Sequence, residues 1–315
     1  MDPISPATYP LISVIIATYN GERFIRQQLD SILGQTYPNL ELIVTDDCST
    51  DNTPGILQEY ASKDSRVKVY RNEVNLGYVK NFEKGMRLST GQLMAPSDQD
   101  DIWLPEKLSK LYREMGAHRI VYCNSALINS NGEKTGKLLS DIKRLADFDD
   151  CLMYAIGNSA PGHAMLLTRE TAEASFPLPD MIPHDHWLSF VATFDSSLKF
   201  IPEPLVLYRQ HDGNVFGAVR AADGKKRKKK KPGRAVKNEQ IRRRVALMYE
   251  KCPEQLPYQK RFFSLMHKSY ASFSLMNNLT RVRIFFQNRH KILSFKRRPE
   301  WRRWLFCIKM FWSIQ

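Results

Sequence analysis

The sequence predicts an α/β fold: a mainly parallel, mixed sheet flanked by helices, followed by a basic, mostly helical C-terminal region. Three observations predict it. Short β-branched apolar runs alternate with helix-period segments through residues 11–96, the pattern of right-handed βαβ units. Asp-rich polar loops follow three of those runs, where ligands sit in such sheets. Charge also divides sharply, with 20 Lys+Arg against 28 Asp+Glu in residues 1–219 and 27 against 5 in residues 220–315.

Residues 11–17 (LISVIIA) read as a strand buried on both faces. Residues 21–35 place Phe24, Ile25, Gln28, Leu29, Ile32 and Leu33 at mostly helical spacing. Residues 40–45 form a second strand, and a helix over 53–61 follows the capping cluster Ser49, Asp51 and Asn52. Residues 66–71 form a third strand with Val67 and Val69 alternating, 79–88 a third helix and 92–96 a fourth strand.

Composition excludes several classes. With 315 residues, 43% apolar and 25% charged, the chain folds around a sizeable core. No apolar run approaches the roughly 18–20 residues of a spanning helix. The first ten residues carry no basic and apolar leader, so we expect no signal peptide. Five cysteines without a CxxC pair argue against a disulfide scaffold or zinc site and suit a reducing cytoplasm. A dinucleotide site needs a Gly-rich turn after the first strand, and a P-loop needs GxxxxGK[ST]; neither is present.

The polar loops are Thr18-Tyr19-Asn20-Gly21, residues 46–51 (DDCSTD) and residues 97–101 (SDQDD). Helix capping alone accounts for Asp, Asn and Ser after strands, so the first two loops stay ambiguous. The third is more telling. Asp98, Asp100 and Asp101 repel one another, and a hard divalent cation relieves that repulsion. The alternative is a solvated acidic turn capping a helix that begins near Leu104.

Taken together, residues 14–20 (VIIATYN), 29–38 (LDSILGQTYP), 42–51 (LIVTDDCSTD) and 98–101 (DQDD) resemble family 2 glycosyltransferases, which have the GT-A fold. The likeness covers residues 10–215, and the runs 98–108 and 208–214 are most similar to the bacterial branch that includes rhamnosyltransferases. The resemblance implies an inverting, divalent-metal-dependent glycosyltransferase moving a sugar from a nucleotide-diphosphate donor, dTDP-rhamnose or a UDP-hexose. The acceptor it implies is a hydroxyl of a glycan or lipid-linked molecule in surface polysaccharide synthesis. By position it implies that Thr18, Tyr19, Asn20 and one of Asp46 and Asp47 hold the nucleotide, while Asn75 and Asn81 line the donor pocket. Asp98 and Asp100 match the DxD motif, with Asp100 the direct ligand of Mg²⁺ or Mn²⁺, and Asp98 and its neighbour Gln99 on the donor side. Asp185, in His184-Asp185-His186, matches the catalytic base. His211 ends an apolar strand within reach of the diphosphate or metal, or is a structural histidine; His163 and His186 receive no role. Cys48 stands where most members have Gly.

We expect two regions, a catalytic domain over 1–219 and a basic, aromatic-rich helical extension over 220–315 with a flexible Lys-rich loop near 224–234. Interleaved Lys/Arg with Trp301, Trp304 and Trp312 suits an anionic membrane interface, nucleic-acid phosphates, or packing onto the catalytic part. Because acceptors of the resembled family are often lipid-linked, the membrane is the preferred partner and nucleic acid an unlikely one. The expected location is cytoplasmic, peripheral on the inner face of the plasma membrane. The competing functions are a nucleotidyltransferase, which would want a basic Gly-rich loop near the first strand, and a nucleic-acid-binding module, which leaves Asp98, Asp100 and Asp185 unexplained.

Overall fold

The computed structural model describes residues 9–211 and 233–314. The expected boundary at 219/220 and the Lys-rich run 225–231 lie outside them. The chain runs β1 (Ile12–Thr18), α1 (Ile25–Leu33), β2 (Leu40–Asp46), α2 (Thr53–Lys63), β3 (Val67–Arg71), α3 (Tyr78–Leu88) and β4 (Leu93–Ser97). It continues through β5 (Ile102–Trp103), α4 (Lys107–Arg113), β6 (Ile120–Ile128), β7 (Lys134–Leu138), α5 (Leu139–Ile142), β8 (Met165–Thr168), α6 (Arg169–Ser175), α7 (His184–Ala192) and β9 (Leu198–Arg209). Helices α8 (Arg234–Lys251), α9 (Pro257–Tyr270), α10 (Leu275–Gln287), α11 (Arg289–Ile292) and α12 (Glu300–Lys309) complete it.

Among the described residues the strands form one sheet in the order β3-β2-β1-β4-β8-β6-β9-β5, with β7 on β6. The first four are parallel; β8 runs antiparallel to both its neighbours, which makes the sheet mixed. The chain winds from β1 outward to β3, then returns through α3 to β4 on the other side of β1. Such a reversal opens a crevice at the carboxyl ends of β1 and β4, and the loops Thr18–Gly21 and Ser97–Asp101 leave the sheet there.

Strand alternation builds two cores. Ile12, Val14 and Ile16 face α1, α2 and α4, while Ile15 faces α3, through Val79, Phe82 and Met86. The second core is shared. Val245, Met248, Phe262, Phe263 and Phe285 of the C-terminal helices join Trp187, Leu188 and Phe190 of α7 in one buried cluster. The Phe190 and Phe263 rings meet edge-on at 5.4 Å, and Lys291 of α11 pairs with Asp150. The basic region therefore uses much of its aromatic content as core.

Opposite the crevice, Glu41 ties the amino ends of β1, β2 and β4. Its Oε1 accepts from Ser13 Oγ at 2.7 Å and from the Thr90 N–H at 2.6 Å, and its Oε2 from Lys68 Nζ at 2.7 Å. Burial works to raise this carboxyl, but Lys68, Ser13 and Thr90 outweigh it and hold it at about 2, against an ordinary 4.5. A lowered carboxylate stabilises the fold above its unfolded pKa and loses that contribution as pH falls. Glu41→Gln is thus expected to cost about 2–3 kcal/mol at pH 7, a deficit that shrinks between about pH 4.5 and about pH 2. Urea denaturation of both proteins across that range checks it; a pH-independent difference contradicts it.

Candidate functional site

The loops after β1 and β2 are zipped together by backbone-to-side-chain bonds. Asn20 N–H donates to Ser49 Oγ at 2.9 Å, Thr50 N–H to Asn20 Oδ1 at 2.8 Å, and Gly21 N–H to Thr53 Oγ1 at 2.8 Å. Asn20 sits at φ 49° and Cys48 at φ 63°. Asn adopts this left-handed conformation readily, whereas for Cys it is strained. That conformation is the physical reason for a glycine preference at position 48; Cys48 offsets part of the strain by donating its S–H to Asn72 O at 3.0 Å.

The structure sorts the expected donor-side residues into surface and support. Tyr19 is 49% exposed, but Thr18 is buried with its hydroxyl on Asp46 at 3.1 Å. Asp46 also accepts from Ser49 N–H at 3.1 Å. Asp47 is buried and accepts from Asn72 Nδ2 and Leu76 N–H, both at 2.7 Å, and from Gly77 N–H at 2.9 Å. Both carboxylates therefore shape the loops around them. Asn75 donates to Asp47 O at 3.1 Å and accepts from Gly77 N–H.

Two expectations change. Asn81, expected to line the pocket, is 1% exposed, with its amide bonded to Thr45 O at 2.7 Å and to Asn72 Nδ2 at 2.9 Å, so it presents almost no surface to a ligand. Gln99 turns its amide onto the Tyr19 backbone, accepting from N–H at 2.9 Å and donating to O at 3.1 Å. It clamps the first loop to the acidic one. Gly21 makes room for this clamp: a Cβ there would lie 2.4 Å from Gln99 Oε1.

The acidic loop is divided between fold and cleft. Asp101 is wholly buried, its Oδ1 accepting the Arg209 N–H at 3.0 Å. Burial first, then the charges of Asp100 and Asp98, push its carboxyl well above the usual range, which favours a neutral group and lessens the repulsion. Asp98 remains 42% exposed at its side chain, and Asp100 Oδ2 meets His211 Nε2 at 2.7 Å. Arg209, at the end of β9, ties the assembly by donating to Asp100 O at 2.7 Å and to Gln27 Oε1 at 2.6 Å. Buried Lys107 lies 3.0 Å over the Trp103 ring and donates to His163 O at 2.7 Å. Burial lowers its ammonium to about 7, against the opposing pull of Cys123, Asp101 and Asp98.

His163, given no role from sequence, is central. Its Nδ1 lies 3.6 Å from Asp98 and 3.8 Å from Asp101, its Nε2 meets Ser125 Oγ at 3.0 Å, and its ring stacks on Tyr208 at 4.4 Å. Among the described residues, a set whose ligand atoms converge within 4.8 Å is Asp98, Asp101 and His163; the expected Asp100 and His211 pair with each other at 2.7 Å. The sequence spacing between 98 and 163 gave no signal for it. Asp101 Oδ2 is buried and makes no hydrogen bond among the described residues, and with its carboxyl raised it is a poor cation ligand; the carboxylates of Asp98 and Asp100, beside the imidazoles of His163 and His211, are the hard oxygen donors that fit Mg²⁺ or Mn²⁺.

The turn over 161–164 joins this loop to α7. A Cβ at Gly162 would stand 2.5 Å from His184 Nε2 and 3.4 Å from Asp185 Cβ, so the backbone passes directly against the start of the helix. Asp185 is the second residue of α7, partly exposed, and accepts from the His186 N–H at 2.7 Å. His184 is buried against Phe82 at 4.0 Å, its ring nitrogens make no hydrogen bond among the described residues, and burial keeps it neutral by lowering its pKa. The half-buried Tyr78 phenol is raised to about 12 by burial and then by the charges of Asp185 and Asp98. Both carboxylates thus act on one small region.

The family model for glycosyl transferase family 2 matches residues 13–172. A Bacillus subtilis (strain 168) protein described as putative glycosyltransferase EpsH is 34% identical over 223 residues, 65% of this chain and 62% of that protein. The chain thus spans less than two thirds of that relative. The dTDP-rhamnosyl transferase RfbG of Shigella flexneri is 30% identical over 224 residues, 64% of this chain and 74% of its own length. Among solved structures, S. aureus TarS 1–349 in complex with UDP-GlcNAc has a TM-score of 0.58 at 17% identity, covering 89% of this chain and 81% of that one; the likeness is one of fold.

The left-handed position yields a stability test. Cys48→Gly is expected to stay within about 1 kcal/mol of the parent, while Cys48→Val loses about 1–2 kcal/mol. Equal denaturation midpoints for the two variants contradict the strain at this position.

Proposed function

We propose, for a chain that belongs to glycosyl transferase family 2, an inverting transfer of a sugar from a nucleotide-diphosphate donor to a hydroxyl of a glycan or lipid-linked acceptor. The observation that carries the proposal is the Gly162–His163 turn. One of its residues abuts Asp185 and the next lies 3.6 Å from Asp98, so a candidate base and the acidic loop lie against one short turn, near the carboxyl end of β4.

In this reading Tyr19 and the loops ordered by Asn20, Asp46, Asp47 and Asn75 receive the nucleoside. Asp98 faces the ribose or sugar. Asp100, with Asp98 and His211, would hold the cation, and His163, 3.6 Å from Asp98, orients that carboxylate. A bound Mg²⁺ or Mn²⁺ supplies Lewis-acid neutralisation of the departing diphosphate. Asp185 removes the acceptor hydroxyl's proton as its oxygen bonds to the anomeric carbon; the carbon–oxygen bond to the diphosphate breaks and the proton stays on Asp185. Attack opposite the leaving group inverts the centre.

The names of relatives support two donor classes, dTDP-rhamnose, as for RfbG, and a UDP-hexose, as for the E. coli β-1,3-glucosyltransferase WfgD, which names a diphosphoundecaprenol acceptor. A role in surface polysaccharide synthesis is supported by the teichuronic acid biosynthesis named for a Bacillus subtilis relative, and the proposed location is the inner face of the plasma membrane.

A donor panel read out by released nucleoside diphosphate, with Mg²⁺ and Mn²⁺, identifies the substrate. On that substrate Asp185→Asn is expected to lower kcat by roughly 10²–10⁴-fold with little change in donor KM. Full turnover of the variant, or a product with retained anomeric configuration by NMR, removes Asp185 from the role of base.

A further inference from the structure

Burial of the C-terminal aromatics leaves one set outside the core. Trp301, Trp304, Leu305, Ile308 and Trp312 are each 47–56% exposed. Four of them lie on α12 and the last in the turn that ends it, spaced at three, four, seven and eleven residues from the first, so they share one face of the helix. The opposite face is anchored: Cys307 is buried, and Phe306, which in sequence looks equally available, packs 6.4 Å from Phe285 in the core. The stripe extends onto α10 through Phe286, 39% exposed and 5.7 Å from the Trp304 ring.

The charge around the stripe names its partner. Residues 271–315 carry ten Lys and Arg against one acidic residue, Glu300, and Glu300 is held by Arg289 and Trp304. Exposed Arg302 and Lys309 alternate with the apolar positions, and Arg302 lies 5.0 Å over the Trp301 ring. An apolar face rimmed by cations, rich in Trp, suits the boundary between anionic headgroups and acyl chains. No helix among the described residues is long and apolar enough to cross a membrane, so the contact is made by a helix lying in the surface.

We propose that α12 docks the protein on an anionic bilayer by inserting the Trp301/Trp304/Ile308/Trp312 face, with the flanking Arg and Lys on the headgroups. The proposal deepens the functional reading by giving a route to a lipid-linked acceptor, but its evidence is independent of that reading.

The structure supplies a spectroscopic probe. Trp103 and Trp187 are 2% and 3% exposed, so the solvent-sensitive part of the emission comes from Trp301, Trp304 and Trp312. The full chain is mixed with phosphatidylglycerol-containing vesicles or pure phosphatidylcholine vesicles, without donor or acceptor. The expected result is co-sedimentation with the anionic vesicles and a blue shift of the emission. Ile308→Glu is expected to weaken partitioning roughly tenfold or more at an unchanged melting temperature. Should that variant fail to fold, Trp304→Ser carries the same expectation.

Vesicle binding with no blue shift and no loss in either variant overturns the proposal, since charge elsewhere then accounts for it. A lipid-free dimer abolished by Ile308→Glu assigns the face to a second copy and overturns it too, as does RNA binding through the same residues without vesicle binding. Because the vesicles contain neither substrate, loss of transferase activity leaves this result standing, and loss of vesicle binding leaves the transfer reaction standing.

Discussion

Crowding three carboxylates into residues 98–101 is the constraint around which the rest of the site is organised. Left in a cleft together they would repel, and desolvation would compound the cost. The fold separates them. Asp101 is drawn into the protein, capped by the Arg209 backbone and raised toward its neutral form. Buried Lys107 lies close by, and its bond to His163 O fixes the turn that carries the His163 ring. Asp98 and Asp100 are left at the cleft, each beside an imidazole, His163 and His211. The strand ends β4 and β9, the short pairing of β5 with β9 and the 161–164 turn are all set by this arrangement.

The same turn explains how Asp185 of α7 comes to stand near an acidic loop more than eighty residues earlier. Gly162 permits the approach because a side chain there would collide with His184. Behind α7, Arg244 of α8 reaches His186, at 3.3 Å. The C-terminal helices therefore support α7 from behind, and their aromatic residues divide into core, such as Phe263 and Phe285, and surface, such as Trp301 and Trp304. Charge counting along the sequence sees both groups alike; only packing separates them.

Much of the fold was legible in sequence because it is local. β-Branched runs, helical spacing and loops after strands report short-range propensity, and the seven elements over residues 11–97 fall within a few residues of their expected places. Motif order singled out Asp98, Asp100 and Asp185, and the structure sets Asp98 and Asp185 on either side of the 161–164 turn. The site was illegible where roles depend on contacts distant in sequence. His163 meets Asp98 only through a turn beside α7, and Gln99 faces Tyr19 rather than the cleft. Asn81 has the same polar side chain whether it lines a pocket or is buried; burial decides, and burial is set by α3 on β2. Cys48 gave a hint as a departure from Gly, and its positive φ supplies the reason.

The central claim is that Asp98 and Asp100 form the anchor for a cation-bound diphosphate while Asp101 belongs to the fold. Calorimetric titration of UDP and dTDP, each with Mn²⁺ and with EDTA, tests it most directly in the parent and in Asp100→Asn. The account predicts that one of the nucleotides binds roughly tenfold or more tightly with Mn²⁺, and that Asp100→Asn abolishes this difference without lowering the melting temperature. Equal binding in EDTA, or a Mn²⁺ effect that survives in Asp100→Asn, would contradict it.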